Sequence, residues 1–274
     1  MAQADLSPLG ALARAGDPDR FLCALFAPAA KREALFTLIA FNAEIARARG
    51  VASNPMAALI RLQWWRDAIE AAPAGRPPLR HEVAGPLATA IAEGALDADD
   101  LLAMVNAREA ETGEAIPTRG AFEAYLRGTA GGFAVAAGRL LAGPGAHLAA
   151  LQALGAAYGL AGVLRSVRAR AKRGQCLLPA DLLAEQGLTP ADVLRAPAAE
   201  AVQVLIGQLA REGAVGCENA RRAAVLPRDA IAAALPVVLA RRDLARLPRG
   251  SDAGGARGIG DRLAVLRAGL LGRV

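Results

Sequence analysis

Between Gly159 and Pro179 the chain reads GLAGVLRSVRARAKRGQCLLP and holds neither Asp nor Glu. A stretch without carboxylates cannot by itself hold a hard cation such as magnesium, which takes oxygen ligands. Other shortages narrow the choice further. Aromatics make up only 4% of the 274 residues, too few for an array that stacks bases. The net charge of +6 therefore does not argue for a nucleic-acid partner. Lysine is confined to Lys31 and Lys172, so nearly all of the basic charge is arginine. The three cysteines, Cys23, Cys176 and Cys217, are odd in number and far apart. They make no CxxC or Cys/His cluster, which excludes a disulfide framework and a zinc site and fits reduced thiols in a cytoplasmic protein. The chain opens with Asp5, Asp17 and Asp19 and no apolar run of signal length, so secretion is not expected.

What the chain has in plenty is alanine and leucine, with apolar residues at helical spacing and no alternating strand pattern. Helices are expected over Asp17–Arg49, with a break near Pro28, and over Pro55–Ala71, capped by Ser53 or Asn54. A loop at Pro73–Pro78 follows. Further helices are expected over His81–Glu93, Asp97–Glu111, Thr118–Arg127, Thr129–Leu141 and Ala146–Arg173, with short ones after Pro179 and Thr189. Two long ones cover Ala198–Val225 and Pro227–Arg246. The run Leu140–Leu164 carries no Asp, Glu, Lys or Arg and is long enough for a membrane span. Gly143-Pro144-Gly145 breaks it, so a buried core helix is the better reading. The expected architecture is all-α, one domain over residues 1–247, then a Gly-rich stretch and a short, loosely docked helix within 248–274.

Several motifs carry possible chemistry. Two segments stand out: the helix ending in Phe41-Asn42-Ala43-Glu44-Ile45-Ala46, which continues to Gly50, and the helix of Arg165, Ser166 and Arg170. Phe41, Asn42, Tyr158 and Gly162 are candidates for a pocket wall or a partner surface. Arg165, Arg170, Lys172 and Arg173 are either a solvated helix end or a site that binds an anion directly, since guanidinium can hold phosphate or carboxylate without a metal. Arg61, Trp64 and Trp65 are either a core anchor or a partner surface. Asp97, Asp99 and Asp100 read as an N-cap with first-turn acids. The small residues Gly128, Ala130, Gly132 and Gly138, with Gly155, Gly159 and Gly162, either leave an apolar pocket or let helices approach closely.

In order and spacing these motifs resemble the squalene/phytoene synthases, over about Phe21–Arg246. The family's LRDVxEDxxxGRxYLP is similar to Leu164–Pro179, and its AFCRxxDDxxD to the segment from Ala40 onward. Arg222–Pro227 and Ala234–Pro236 resemble its C-terminal helices. The resemblance implies an isoprenoid-synthase-type helical bundle. It also implies that four aspartates, which in the family hold magnesium for the diphosphate leaving group, are replaced by Ala46, Gly50, Ser166 and Arg170. Glu44, about 200° around the helix from Ala46, offers no substitute, and no nearby acid is in register. The chain is therefore expected to have no catalytic residues, no metal and no cofactor.

Ala40–Ala46 followed by Arg61–Ile69 is most similar to the branch of respiratory complex I assembly factor 6 and its bacterial relatives. That resemblance implies an assembly or scaffolding factor, with respiratory-complex subunits or an isoprenoid or lipid ligand as partners. It implies a cytoplasmic location with peripheral contact to the inner membrane. Two alternatives stay open: an active prenyltransferase that condenses farnesyl or geranylgeranyl diphosphate, and an isoprenoid- or lipid-binding protein without turnover.

Overall fold

The computed structural model describes residues 6–52, 54–72, 81–249 and 257–274. The expected loop at Pro73–Pro78, the alternative cap Ser53 and most of the Gly-rich stretch after Arg249 lie outside these residues. Among them the fold is all-α, and the only strand-like pairing is an isolated bridge between Ile116 and Pro179.

The order is α1 (Pro8–Gly16), α2 (Pro18–Ala24), α3 (Ala29–Arg47), α4 (Pro55–Ala71), α5 (Ala84–Ala92), α6 (Ala98–Ala107), α7 (Arg119–Leu126), α8 (Gly132–Ala142), α9 (His147–Ala171), α10 (Ala180–Glu185), α11 (Pro190–Arg195), α12 (Glu200–Ala223), α13 (Ile231–Ala234), α14 (Pro236–Arg246) and α15 (Ile259–Leu271). Local chemistry sets most of the starts. Ser7, Asp17, Asn54, Asp97 and Thr118 accept hydrogen bonds from first-turn amides, and Pro8, Pro18 and Pro55 stand where a missing N–H costs nothing. Thr189 and Asp192 cap each other across the first turn of α11. Asp100, beside the cap at Asp97, is held 2.7 Å from Arg139.

Two elements depart from the expected pattern. Helix α1 was not anticipated, although Ser7-Pro8 is a legible start. The single helix expected over Pro227–Arg246 is broken into a 3-10 turn, α13 and α14. Pro236 has no N–H to continue the ladder from α13. The uncharged run Leu140–Leu164 is split as expected, at Gly143 with φ 76°. Helix α9 is the one described helix long and apolar enough to cross a membrane, yet it packs against α8, α12 and α14 as the central strut of the bundle.

The contacts of α9 depend on missing side chains. A Cβ on Gly155 would stand 2.5 Å from the Ala130 carbonyl oxygen, and one on Gly159 would stand 2.8 Å from the Ala130 Cβ. Here the small residues serve close packing. Gly162 is different, with nothing within 4 Å of its Cβ position. The chain bends around this contact through a π-helical turn at Arg127–Gly131, which joins α7 to α8, with the Thr129 hydroxyl donating to the Tyr125 carbonyl at 2.7 Å.

The three cysteines are free and buried. Burial pushes each thiol up, Cys217 to about 11, so none is a ready nucleophile near neutrality. At the far end, α15 is anchored more firmly than expected. Val265 is fully buried, and Asp261 accepts from Arg242 at 2.6 Å and from Arg246 at 2.8 and 3.0 Å.

Candidate functional site

A cavity of about 330 Å³ lies where α2, α3, the 3-10 turn after α6, the α7–α8 junction and α9 converge. The capping residue Asp17 and, one turn on, Arg20 come from α2. Helix α3 contributes Asn42, Ala43, Ala46 and Arg47, and the 3-10 turn contributes Arg108. Tyr125, Thr129 and Ala130 come from the α7–α8 junction. One face of α9 supplies Tyr158, Gly159, Gly162, Arg165, Ser166 and Arg170, and Arg257 closes one side. The i, i+4 spacing of Gly162, Ser166 and Arg170 puts all three on that face.

Three of the four replaced aspartate positions, Ala46, Ser166 and Arg170, therefore face one cavity, together with Asn42, Tyr158, Gly162 and Arg165. Gly50 does not join them; it is exposed beyond the end of α3. Phe41 is fully buried one residue behind the wall, with Trp65 edge-on at 5.3 Å. Trp65 is buried too, and Trp64 and Arg61 lie on the exposed side of α4. Among the described residues the cation–π contacts belong to Arg20, 4.1 Å from the Phe133 ring and 4.9 Å from that of Tyr158, not to Arg61. Lys172 and Arg173 line an adjoining groove with Arg168 and Arg195. That groove shares Gly162, Arg165 and Ser166 with the cavity.

Electrostatics is the main content of the site. Among the described residues six arginines line it, and Asp17 is the one carboxylate on its wall. Five of the arginines have acidic partners. Arg20 pairs with Asp17 at 2.9 Å and Arg108 with Glu111 at 2.5 Å. Arg47 pairs with Glu44. Arg165 approaches Asp243 at 3.4 Å, and Arg257 bridges Asp19 at 2.8 Å and Asp243 at 2.7 Å. Arg170 differs: its Nε donates to the Ser166 hydroxyl at 3.1 Å, and Nη1 reaches the Gln175 side-chain oxygen at 3.5 Å.

Behind the wall, Arg108 also donates to Asn42, and the Tyr125 hydroxyl donates to Glu111 at 2.7 Å. Burial would pull the Arg108 guanidinium down, but Glu111 and Tyr125 more than offset it. Burial and then the charge of Glu111 push the Tyr125 phenol well up, and burial followed by Asp17 does the same for Tyr158. Both phenols stay protonated near neutrality, and the carboxylates around the cavity are held in ion pairs.

These residues do not fit magnesium. The replaced positions facing the cavity offer a methyl, a hydroxyl and a guanidinium. Asp17 already caps α2 and pairs with Arg20. Among the described residues no three of His, Cys, Asp and Glu are grouped to hold a metal. The apolar recess past Arg20, between Phe133, Leu154, Tyr158 and Val237, is only about 10 Å³.

Asp17, Arg20, Arg108, Glu111, Asp243 and Arg257 were not singled out as site residues from sequence. Asp17 was visible as a cap before Pro18. The others are brought in from segments far apart in the chain, and no local pattern marks them.

The squalene/phytoene synthase family profile matches residues 13–265. NADH dehydrogenase (ubiquinone) complex I, assembly factor 6, of Mus musculus is 27% identical over 212 residues. That alignment takes in 77% of this chain and 63% of the relative, so the chain spans less than two thirds of that protein's length. Among solved structures, squalene synthase HpnC from Alicyclobacillus acidocaldarius superposes with a TM-score of 0.74 at 18% identity, covering 88% of this chain and 92% of that one. A dehydrosqualene synthase in complex with ligand gives 0.80 at 16%, covering 98% and 96%.

Proposed function

The chain belongs to the squalene/phytoene synthase family, and we propose that it is a non-catalytic member acting as an assembly factor for respiratory complex I. One observation carries the loss of catalysis: the cavity presents Ala46, Ser166 and Arg170 where the family resemblance calls for aspartates, and ion pairs occupy the acids around it. Ionising an allylic diphosphate needs metal-bound oxygens to take the developing charge, and the small apolar recess leaves little space there for a prenyl chain. Similarity to the assembly factors supports the role.

The surface supports a partner and a membrane as well. Met56, Ile60 and Trp64 recur every four residues on the exposed side of α4, an apolar strip for a partner subunit. On α15, Ile259, Leu263, Leu266 and Leu270 are exposed at spacings that keep them within about 60° of one another. Arg262 and Arg267 are exposed on the same helix, while its one acid, Asp261, is turned inward to Arg242 and Arg246. An exposed apolar stripe flanked by arginine suits an anionic membrane surface. The stripe supports peripheral contact with a membrane, and we propose a cytoplasmic protein held at the inner membrane.

The test has two arms. Purified protein incubated with farnesyl or geranylgeranyl diphosphate, Mg²⁺ and NADPH is expected to give no squalene- or phytoene-like product; a metal-dependent product would establish the active synthase instead. Deletion of the protein is expected to lower assembled complex I and leave carotenoid and hopanoid content unchanged. The opposite pattern would remove the assembly role.

A further inference from the structure

Among the described residues the charge around the cavity does not balance: six guanidiniums line it, and the described carboxylates that pair with them number five, Asp17, Asp19, Glu44, Glu111 and Asp243. The excess falls on Arg170. Among the described residues no carboxylate lies within ion-pair distance of it, and its bonds to Ser166 and Gln175 use two of its five N–H donors. Arg20 and Arg108, both more than nine-tenths buried on the same walls, each keep an Nε without a hydrogen-bond partner. Buried donors of this kind are costly unless something accepts from them. An unbalanced guanidinium in a half-enclosed space attracts an oxyanion far more strongly than one in open water.

We propose that this cavity is a metal-independent binding site for a small oxyanion of phosphate or carboxylate type, held chiefly by the Arg170 guanidinium. The site has inverted its charge preference. Where aspartates would gather cations to neutralise a ligand, an arginine meets the ligand directly, and a divalent cation would be repelled. Size supports the inference. The cavity of about 330 Å³ holds a phosphate or tricarboxylate group, whereas the apolar recess beyond Arg20 is nearly closed, so the ligand has no long hydrocarbon tail in that direction. The entrance agrees in charge: Arg168, Lys172, Arg173 and Arg195 line the groove that shares Arg165 and Ser166 with the cavity, and these cations would draw anions toward it.

Calorimetry on the full chain at low salt with EDTA, titrating inorganic phosphate, pyrophosphate and citrate separately, tests this. At least one is expected to bind, and the preference for pyrophosphate or for citrate assigns the phosphate or carboxylate source. Arg170→Gln is expected to weaken binding at least tenfold, and Mg²⁺ added in place of EDTA to bring no gain. Ala46→Asp, which restores a carboxylate to the wall, provides a second variant should Arg170→Gln fold poorly, and is expected to weaken binding by a similar factor. Absence of binding by all three anions, binding that requires Mg²⁺, or binding that a folded Arg170→Gln or Ala46→Asp variant leaves unchanged would overturn the proposal.

Discussion

Glu111 shows how much a single carboxylate carries here. It is 3% exposed and takes hydrogen bonds from both Arg108 and Tyr125. Replacing it by Gln leaves a buried guanidinium without its counter-charge, a change expected to cost about 3–5 kcal/mol. Urea denaturation of Glu111→Gln against the parent chain would measure it, and a loss under about 1 kcal/mol would mean that Arg108 finds water or another partner. Two glycines of α9 make a sharper pair. Gly155→Ala puts a methyl 2.5 Å from a backbone carbonyl, which cannot swing aside as a side chain can, and is expected to destabilise by about 1–3 kcal/mol. Gly162→Ala meets open space inside a helix and is expected to be neutral or to stabilise by up to about 1 kcal/mol. In thermal melts Gly155→Ala should lower the midpoint and Gly162→Ala should not.

Among the elements, α15 is the one whose docking depends visibly on pH. The hydrogen bond from Arg246, helped by that from Arg242, holds the Asp261 carboxyl down at about 2, against an ordinary value of 3.8. A lowered folded-state value adds stability that is complete above about pH 4 and is lost as pH falls through about 2. Amide exchange in α15 is therefore expected to quicken across that window before the core opens, and Asp261→Asn should show the faster exchange already at neutral pH. The outer face of the same helix predicts a separate behaviour. The protein is expected to sediment with anionic phospholipid vesicles and not with neutral ones, and Leu263→Glu with Leu270→Glu to abolish this without shifting the melting temperature. Equal binding to both vesicle types would remove the role of the arginines, and binding to neither would argue for a protein partner on that face.

At the scale of the whole molecule, the bundle exists because α9 can be approached closely from several sides. Local signals announced most of it: Asp17-Pro18, Asn54-Pro55, Asp97 and Thr118 mark helix starts that the structure keeps. The break at Pro236 was also written in the chain, though the apolar periodicity on either side concealed it. The site was legible in part. Ser166 and Arg170 could be placed on one helix face from their spacing, because helical periodicity relates residues within one element; only the family resemblance set Ala46 opposite them, and Gly50, paired with Ala46 by the same spacing, does not reach the cavity. The ion pairs around them could not be placed from spacing. Arg257 reaches Asp19 across 238 positions of sequence, and Arg108 reaches Asn42 across 66.

Sequence alone determined that the chain is helical, where most helices begin, and that Ala46, Gly50, Ser166 and Arg170 bring no carboxylate to the positions the family resemblance marks. These are properties of residue type and of spacing within single elements. Only tertiary structure decided that acids from α2, α14 and the turn after α6 come to the cavity after all, and that each arrives already paired with an arginine. It also decided that Gly155 and Gly159 are spent on packing while Gly162 opens a wall. The physical reason is that charge balance and free volume are sums over everything within a few ångströms of a point, and neighbours in space come from segments that a local pattern never compares.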